Sequence, residues 1–391
     1  MNKLDIPYFI KFKIYFSLLI TLILFISIYI ALYYIGNFVG SWWFEITEPN
    51  LLRNIGLGFI AIGLIPLIFA LFVKSRDFGY KIDEKDFPKL FKFVNEIADS
   101  LGAKRPDEIQ LLPSNEIYVT GLFKRKIGIG IVGLRGITKE EFKAILFHEF
   151  AHLHGKDTIF GALLSKIEIS LENSSKFGKS WWDYVPMAQL AVIGLAITAF
   201  AKTYSFIFRF AISFYSRQVE YRADYIASIM TSKEIFGKAL VNYSAYTIYF
   251  NEYGYDSIYN LLSQNKKFIN VYDFIDKNYN RIDNEKVRKI VLEKDEGGLF
   301  SSHPSLPRRL HAIGLKNINI KHPNKEKAIT FLDKQNKIEQ DMTSILTNNM
   351  HVNLLYMDAL QREGKCRYCG EQFDRLDNLL NHERAHEQEK N

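Results

Sequence analysis

At 391 residues the chain has room for a membrane part and at least one soluble domain. Hydrophobic residues make up 48% and aromatics 15% beside 24% charged residues, and the +7 balance is spread along the chain, which suits anionic lipid headgroups at least as well as nucleic acid. The two cysteines, close together near the C-terminus, exclude a disulfide framework.

Residues 14–35 are almost wholly apolar and carry no charge, long enough to cross a bilayer. The run is too long for a cleaved signal peptide, and no small-residue cleavage site stands out. Residues 54–73 read as a second span, with Gly56, Gly58 and Gly63 allowing close helix packing. Lys3, Lys11 and Lys13 precede the first span, and Lys74, Arg76 and Lys81 follow the second. Between them lie Glu45, Glu48 and a lone Arg53, with Trp42 and Trp43 at the interface. Basic flanks put both ends of this hairpin in the cytoplasm.

A soluble domain begins near residue 76. Residues 84–101 have helical periodicity, with Phe87, Leu90, Phe91, Phe93, Val94 and Ile97 on the apolar side. Three strands are expected, at 109–112, 117–122 and 127–132, the last two joined by the basic turn Lys124-Arg125-Lys126. Thr138 and Glu141 form a capping box that opens a helix with Phe142, Ile145, Leu146, Phe150 and Leu153 on its buried side and Gly155 as its stop.

That helix carries His148, Glu149 and His152, which spell H-E-x-x-H. Residues four apart share a helical face, so both imidazoles can face one zinc ion while Glu149 reaches the activated water as general base. The longer pattern with a third histidine fails, because residue 158 is Thr, and His154 points away from the pair's face. The better third ligand is Glu220, with Asp224 four residues on and placed to hydrogen-bond a ligand histidine and fix its tautomer.

Between the two motifs, Met187 to Ala201 is apolar, and Thr203 to Tyr215 continues it with only Lys202 and Arg209 charged nearby. Lys166, Glu168 and Glu172 interrupt the apolar stretch 158–173. His148 and Glu220 must meet at one metal, so the intervening chain crosses the membrane twice or not at all. The favoured reading is a hairpin over 158–215 whose second helix runs unbroken into Glu220. The alternative is a buried soluble helix pair, since those charges are costly in lipid. Further on, Gly297-Gly298 opens a loop leading to His303, and residues 323–362 read as charged helix or linker.

The C-terminus has the spacing Cys366-x2-Cys369-x12-His382-x3-His386 of a two-Cys, two-His zinc finger, with Phe373 and Leu379 at the two core positions. The usual base-reading positions hold Arg375, Asn378 and Asn381. Residues 363–391 carry five basic and seven acidic side chains, a net of −2, which argues against DNA reading and for a protein contact.

The pair H-E-F-A-H and, some 70 residues on, S-R-Q-V-E-Y-R-A-D resembles the HtpX-type membrane zinc metallopeptidases, relatives of the CAAX prenyl proteases. Three further segments are similar to that family. Asn115-Glu-Ile-Tyr-Val-Thr-Gly121 resembles its N-A-F-A-x-G segment, with Glu116 in place of the usual Ala. Ile127 to Leu134 resembles its strand before the catalytic helix. His303-Pro-Ser-Leu-Pro-Arg-Arg309 resembles its H-P-P-L-x-x-R segment. The resemblance covers roughly residues 1–315 and implies membrane-embedded proteolysis with one catalytic zinc. It also implies that His303 or Arg309 steadies the oxyanion. A peptide substrate is expected to add to an edge of the sheet, touching Asn115, Ile129 and Ile131.

The sequence therefore predicts an α+β fold, a mainly helical multi-pass membrane zincin with a small β-sheet beside the catalytic helix and a C-terminal ββα zinc finger. Its parts are an N-terminal transmembrane hairpin (1–75), a metallopeptidase domain (76–320) holding the second hairpin, a helical linker (321–362) and the finger (363–391). Two zinc ions are expected, one catalytic on His148, His152 and Glu220, one structural on Cys366, Cys369, His382 and His386. The expected partners are membrane lipid, protein or peptide substrates and a protein at the finger, with nucleic acid disfavoured. Both termini and the active site are expected on the cytoplasmic side of the cell membrane. The competing reading is a non-proteolytic membrane scaffold whose finger recruits partners; it gives Glu149 no task.

Overall fold

The computed structural model describes residues 6–43, 45–72, 79–120, 124–154, 188–264, 266–279, 303–315, 326–361, 365–373 and 376–389, with short stretches within 169–179 and 291–292. The expected helix stop at Gly155, most of the apolar segment 158–187, the Gly297-Gly298 loop, Arg375 and the His154 side chain lie outside them.

Two long helices come first, α1 (Tyr8–Trp43) and α2 (Pro49–Phe72). They pack on each other, and α1 also packs on α6 (Ala188–Met230). The close crossing is made by glycine, as the sequence suggests, though only in part. A Cβ on Gly56 would fall 2.9 Å from the Tyr33 carbonyl oxygen, whereas one on Gly58 would meet nothing. Gly40 is the second contact point, where a Cβ would lie 2.9 Å from Leu52. The outer side of α1 exposes Leu19, Leu22, Ile23, Ile26 and Ile30. Among the described residues, no helix is long and apolar enough to cross a membrane.

The folded domain has a four-stranded mixed sheet, β1 (Tyr80–Ile82), β2 (Glu108–Leu112), β3 (Ile117–Thr120) and β4 (Lys126–Gly130), in the order β1-β2-β4-β3. β2 and β4 are parallel, and both outer strands are antiparallel to their neighbours. Helix α3 (Pro88–Leu101) buries Leu90, Val94 and Ile97 and ends on Gly102, whose φ of 64° lets its amide cap the last carbonyls. Two strand expectations need correction. β4 stops at Gly130, and Ile131 begins a short helix, α4 (Ile131–Gly136), where a strand to 132 was expected. Ile129 and Ile131 are both fully buried, and β4 is an inner strand, so neither side chain can meet a substrate. The open edge beside the catalytic helix is β3.

Helix α5 (Lys139–His154) is the centre of the fold. Its capping box forms: the Thr138 N–H donates to Glu141 Oε2 at 2.8 Å, and the Glu141 N–H to Thr138 Oγ1 at 3.3 Å. Phe142, Ile145, Leu146 and Phe150 are buried as expected, and so are Ala144, Phe147 and Ala151. α3, β3, α6 and α7 (Lys233–Tyr249) surround it, which is why nearly every side faces protein.

A π-helical turn (Phe250–Gly254) leads from α7 into α8 (Tyr255–Ser263), followed by α9 (Val271–Tyr279) and α10 (Leu306–Ala312). The stretch expected to be a linker belongs to the core. Ala328, Ile329 and Leu332, then Ile338, Met342 and Met350 of α11 (Gln335–Gln361), share the hydrophobic cluster of the catalytic helix. An ion cluster around a buried arginine fastens it. Arg135 on α4 reaches Asp273 (2.7 Å) and Asp276 (2.7 Å) on α9 and Glu339 (2.9 Å) on α11. The chain ends in α12 (Leu376–Glu389).

Candidate metallopeptidase site

His148 and His152 lie one turn apart on α5, and Glu220 comes from α6 across from them. The two Nε2 atoms are 3.3 Å apart. Glu220 Oε2 is 3.5 Å from His148 Nε2, and Oε1 is 3.5 Å from His152 Nε2. Three ligands held about 2.0–2.1 Å from a tetrahedral zinc stand roughly 3.3–3.5 Å apart, the spacing found here. Glu220 Oε2 is also buried without a hydrogen bond, an orphan acceptor of the kind a cation satisfies. The donor set and its spacing fit zinc.

The surrounding charges fit as well. Burial alone would raise the Glu220 pKa, but His148, His152 and His303 hold it well below the usual carboxylate range. Burial lowers the His148 pKa, yet Asp224 and Glu220 outweigh it and pull it up. Carboxylates therefore dominate this pocket, and a divalent cation balances them. Glu149 follows His148 directly and is half-buried, and burial raises its carboxyl above the ordinary range. A shift toward neutrality suits a base that must accept a proton and release it again.

Asp224, fully buried one turn after Glu220, places Oδ1 3.0 Å from His148 Nδ1. It thereby orients the ring so that Nε2 faces the other ligands. Arg309 grips Asp224 through two hydrogen bonds, Nε to Oδ2 at 2.9 Å and Nη2 to Oδ1 at 2.6 Å, and comes within 3.6 Å of Glu220. His303 Nδ1 sits 3.2 Å from Glu220 Oε1. So α10 and the turn before it brace the acidic pair from behind.

The profile of peptidase family M48 matches residues 84–315, more than half of the chain and all of this site. The chain belongs to peptidase family M48. Among solved structures, this M48 chain is similar to the crystal structure of S. mikatae Ste24p at 17% identity, over 77% of this chain and 66% of that one, with a TM-score of 0.34. It thus spans about two thirds of that protein's length. No curated protein matches.

Asn115, expected near the substrate, is held by α7. Its Nδ2 donates to Thr247 Oγ1 at 3.4 Å, and its carbonyl accepts from the Tyr243 hydroxyl at 2.5 Å. Sequence reading missed Tyr243 and its neighbour Asn242, whose Nδ2 donates to Glu141 Oε1 at 2.6 Å. The available signal was an amide inside the apolar run Ala239-Leu-Val-Asn-Tyr243, since a buried Asn must find a partner.

At the C-terminus of this M48 chain, Cys366, Cys369, His382 and His386 gather into a second ligand cluster. Cys369 Sγ is 3.2 Å and His386 Nε2 3.1 Å from His382 Nε2. The Tyr368 N–H points at Cys366 Sγ (3.4 Å), and Gly370, at φ 77°, closes the cysteine turn. Phe373 and Leu379 pack with Cys366, as expected of the core positions. Among the described residues, the expected two-stranded hairpin reduces to one bridge, Lys365 with Gln372.

Proposed function

We propose that this chain is a membrane-embedded zinc endopeptidase that cuts unfolded or membrane-inserted protein segments. The observation that carries the chemistry is the convergence of His148, His152 and Glu220 with Glu149 beside them. A bound zinc supplies a Lewis acid for the scissile carbonyl and acidifies water. Glu149 takes the proton of the attacking water and passes one to the leaving amine. Asp224 keeps His148 in the tautomer that presents Nε2, and Arg309 keeps Asp224 charged and in place. A peptide pairs with the open edge of β3, next to α5, through backbone hydrogen bonds.

Membrane embedding is supported by the charge-free run 14–35 and by the apolar outer side of α1. A structural zinc in the C-terminal cluster is supported by its four convergent ligands, and a protein contact there by its net negative charge. Glu149→Gln keeps the shape of the side chain and removes the base. The variant should retain zinc and fold while cleavage of an unfolded reporter in liposomes falls by several orders of magnitude. Cleavage at the wild-type rate would overturn the reading in favour of a scaffold.

A further inference from the structure

The free edge of β3 is not open along its whole length. The Gly130 N–H donates to the Glu116 carbonyl at 2.7 Å, and Glu116 lies one step before the pair Ile117–Ile129. In an antiparallel pair, hydrogen-bonded and non-bonded positions alternate. Glu116, Tyr118 and Thr120 therefore turn their backbone groups toward β4, and Ile117 and Val119 turn theirs toward the open edge. So does the Asn115 carbonyl, and the Tyr243 hydroxyl occupies that position. It donates to the Asn115 carbonyl at 2.5 Å and accepts from the Ile117 N–H at 3.2 Å. One phenol oxygen makes both bonds that one residue of a peptide lying parallel to β3 would make.

We propose that Tyr243 closes the first rung of the β3 edge and so fixes the register in which a peptide substrate adds to it. The Ile117 carbonyl and the N–H and carbonyl of Val119 are then the groups left for the peptide. The stop is tied to the chemistry by its neighbour. Asn242 holds Glu141 of the capping box, so two adjacent residues of α7 set the start of the substrate edge and the start of the helix that bears His148, Glu149 and His152. The fit is close. A Cβ on Gly133 would fall 2.8 Å from the Asn115 carbonyl oxygen and 3.0 Å from the Tyr243 ring. Tyr243 is a positioning residue, and its role rests on the reading of β3 as the substrate edge.

Strand pairing repeats every two residues, so a peptide freed from its stop slides by two and keeps its hydrogen bonds. Tyr243→Phe should therefore yield a second cleavage product displaced by two residues from the wild-type cut. Its share should rise on the order of tenfold, the worth of one rung of two hydrogen bonds. Thr247→Val loosens Asn115 but leaves the stop, and should keep the single cut. A Tyr243→Phe enzyme that cuts at the wild-type bond alone, only more slowly, would overturn the assignment and leave the peptidase reading standing. Hydrogen exchange on zinc-loaded Glu149→Gln gives an arm that needs neither a stable Tyr243 variant nor turnover. The Ile117 amide should be slow without peptide and the Val119 amide fast, with Val119 slowing when an unfolded peptide is added. An Ile117 amide that exchanges as fast as Val119 would sink the stop even if no substrate is ever cut.

Discussion

Arg135 shows what a single buried residue can hold. It is 7% exposed, and three acids from two other helices converge on it, among them Glu339, which is fully buried. Replacing it with Met would leave the Glu339 carboxylate buried without its cation, while Asp273 and Asp276 reach solvent. We expect a loss of about 3–5 kcal/mol, read by denaturant unfolding of the purified protein. A loss below about 1 kcal/mol would mean that the acids are solvated or take up protons without strain. Nothing in the sequence singled out Arg135, because its partners lie 138 to 204 positions away and no local spacing joins them. His148, His152, Glu220 and Asp224 were legible for the opposite reason. Each pair sits four apart on one helix, and ligand chemistry restricts the residue types. Ile129 and Ile131 were misjudged because a strand's residues name its faces but not its place in a sheet.

At the scale of elements, the catalytic helix was read from its start. The capping box was visible as Thr138 and Glu141 and forms as drawn, with Asn242 added to the free oxygen of Glu141. Thr138→Ala should cost about 1 kcal/mol of stability, measured as a lowered unfolding midpoint, and leave zinc affinity unchanged. If zinc binding weakens in step, the cap sets ligand geometry as well as helix stability. The strand at 127–132 was read two residues too long. Gly128 and Gly130 lie within it, and every residue of the short helix that follows is buried, so periodicity could not mark the junction. α11 looked like a linker because uncharged polar residues and a few charges crowd its first half, from Gln335 to Asn349. Its apolar side there is narrow, and Ile338, Met342 and Met350 are buried against residues distant in sequence.

For the molecule as a whole, the proposed reading assigns one zinc to each of two ligand sets that share no residue. Purified protein should contain about two zinc ions per chain, by elemental analysis under the reading proposed above. Glu220→Ala should remove the one at the peptidase site and Cys366→Ser the one at the C-terminus. Cys366→Ser should still cleave an unfolded reporter, since no finger residue belongs to the catalytic set. One zinc that survives Glu220→Ala would refute the proposed third ligand. Orientation is open to the same directness. A cysteine at Glu48 should react with a membrane-impermeant thiol reagent in intact cells, and one at Asp83, on the peptidase side, should not. The reverse pattern would invert the topology.

α6 runs from Ala188 to Met230 as 43 unbroken helical residues without a proline. Glu220 is therefore reached along a rod of about 48 Å from its first turn. A helix has no joint at which one residue can turn by itself. Shifting it in register by a single residue rotates a ligand by roughly 100° and advances it about 1.5 Å, enough to take a carboxylate out of coordination. The third ligand is thus a reporter on its whole helix: whatever tilts, slides or twists the apolar end of α6 is felt at the metal without any change in the residues that touch it.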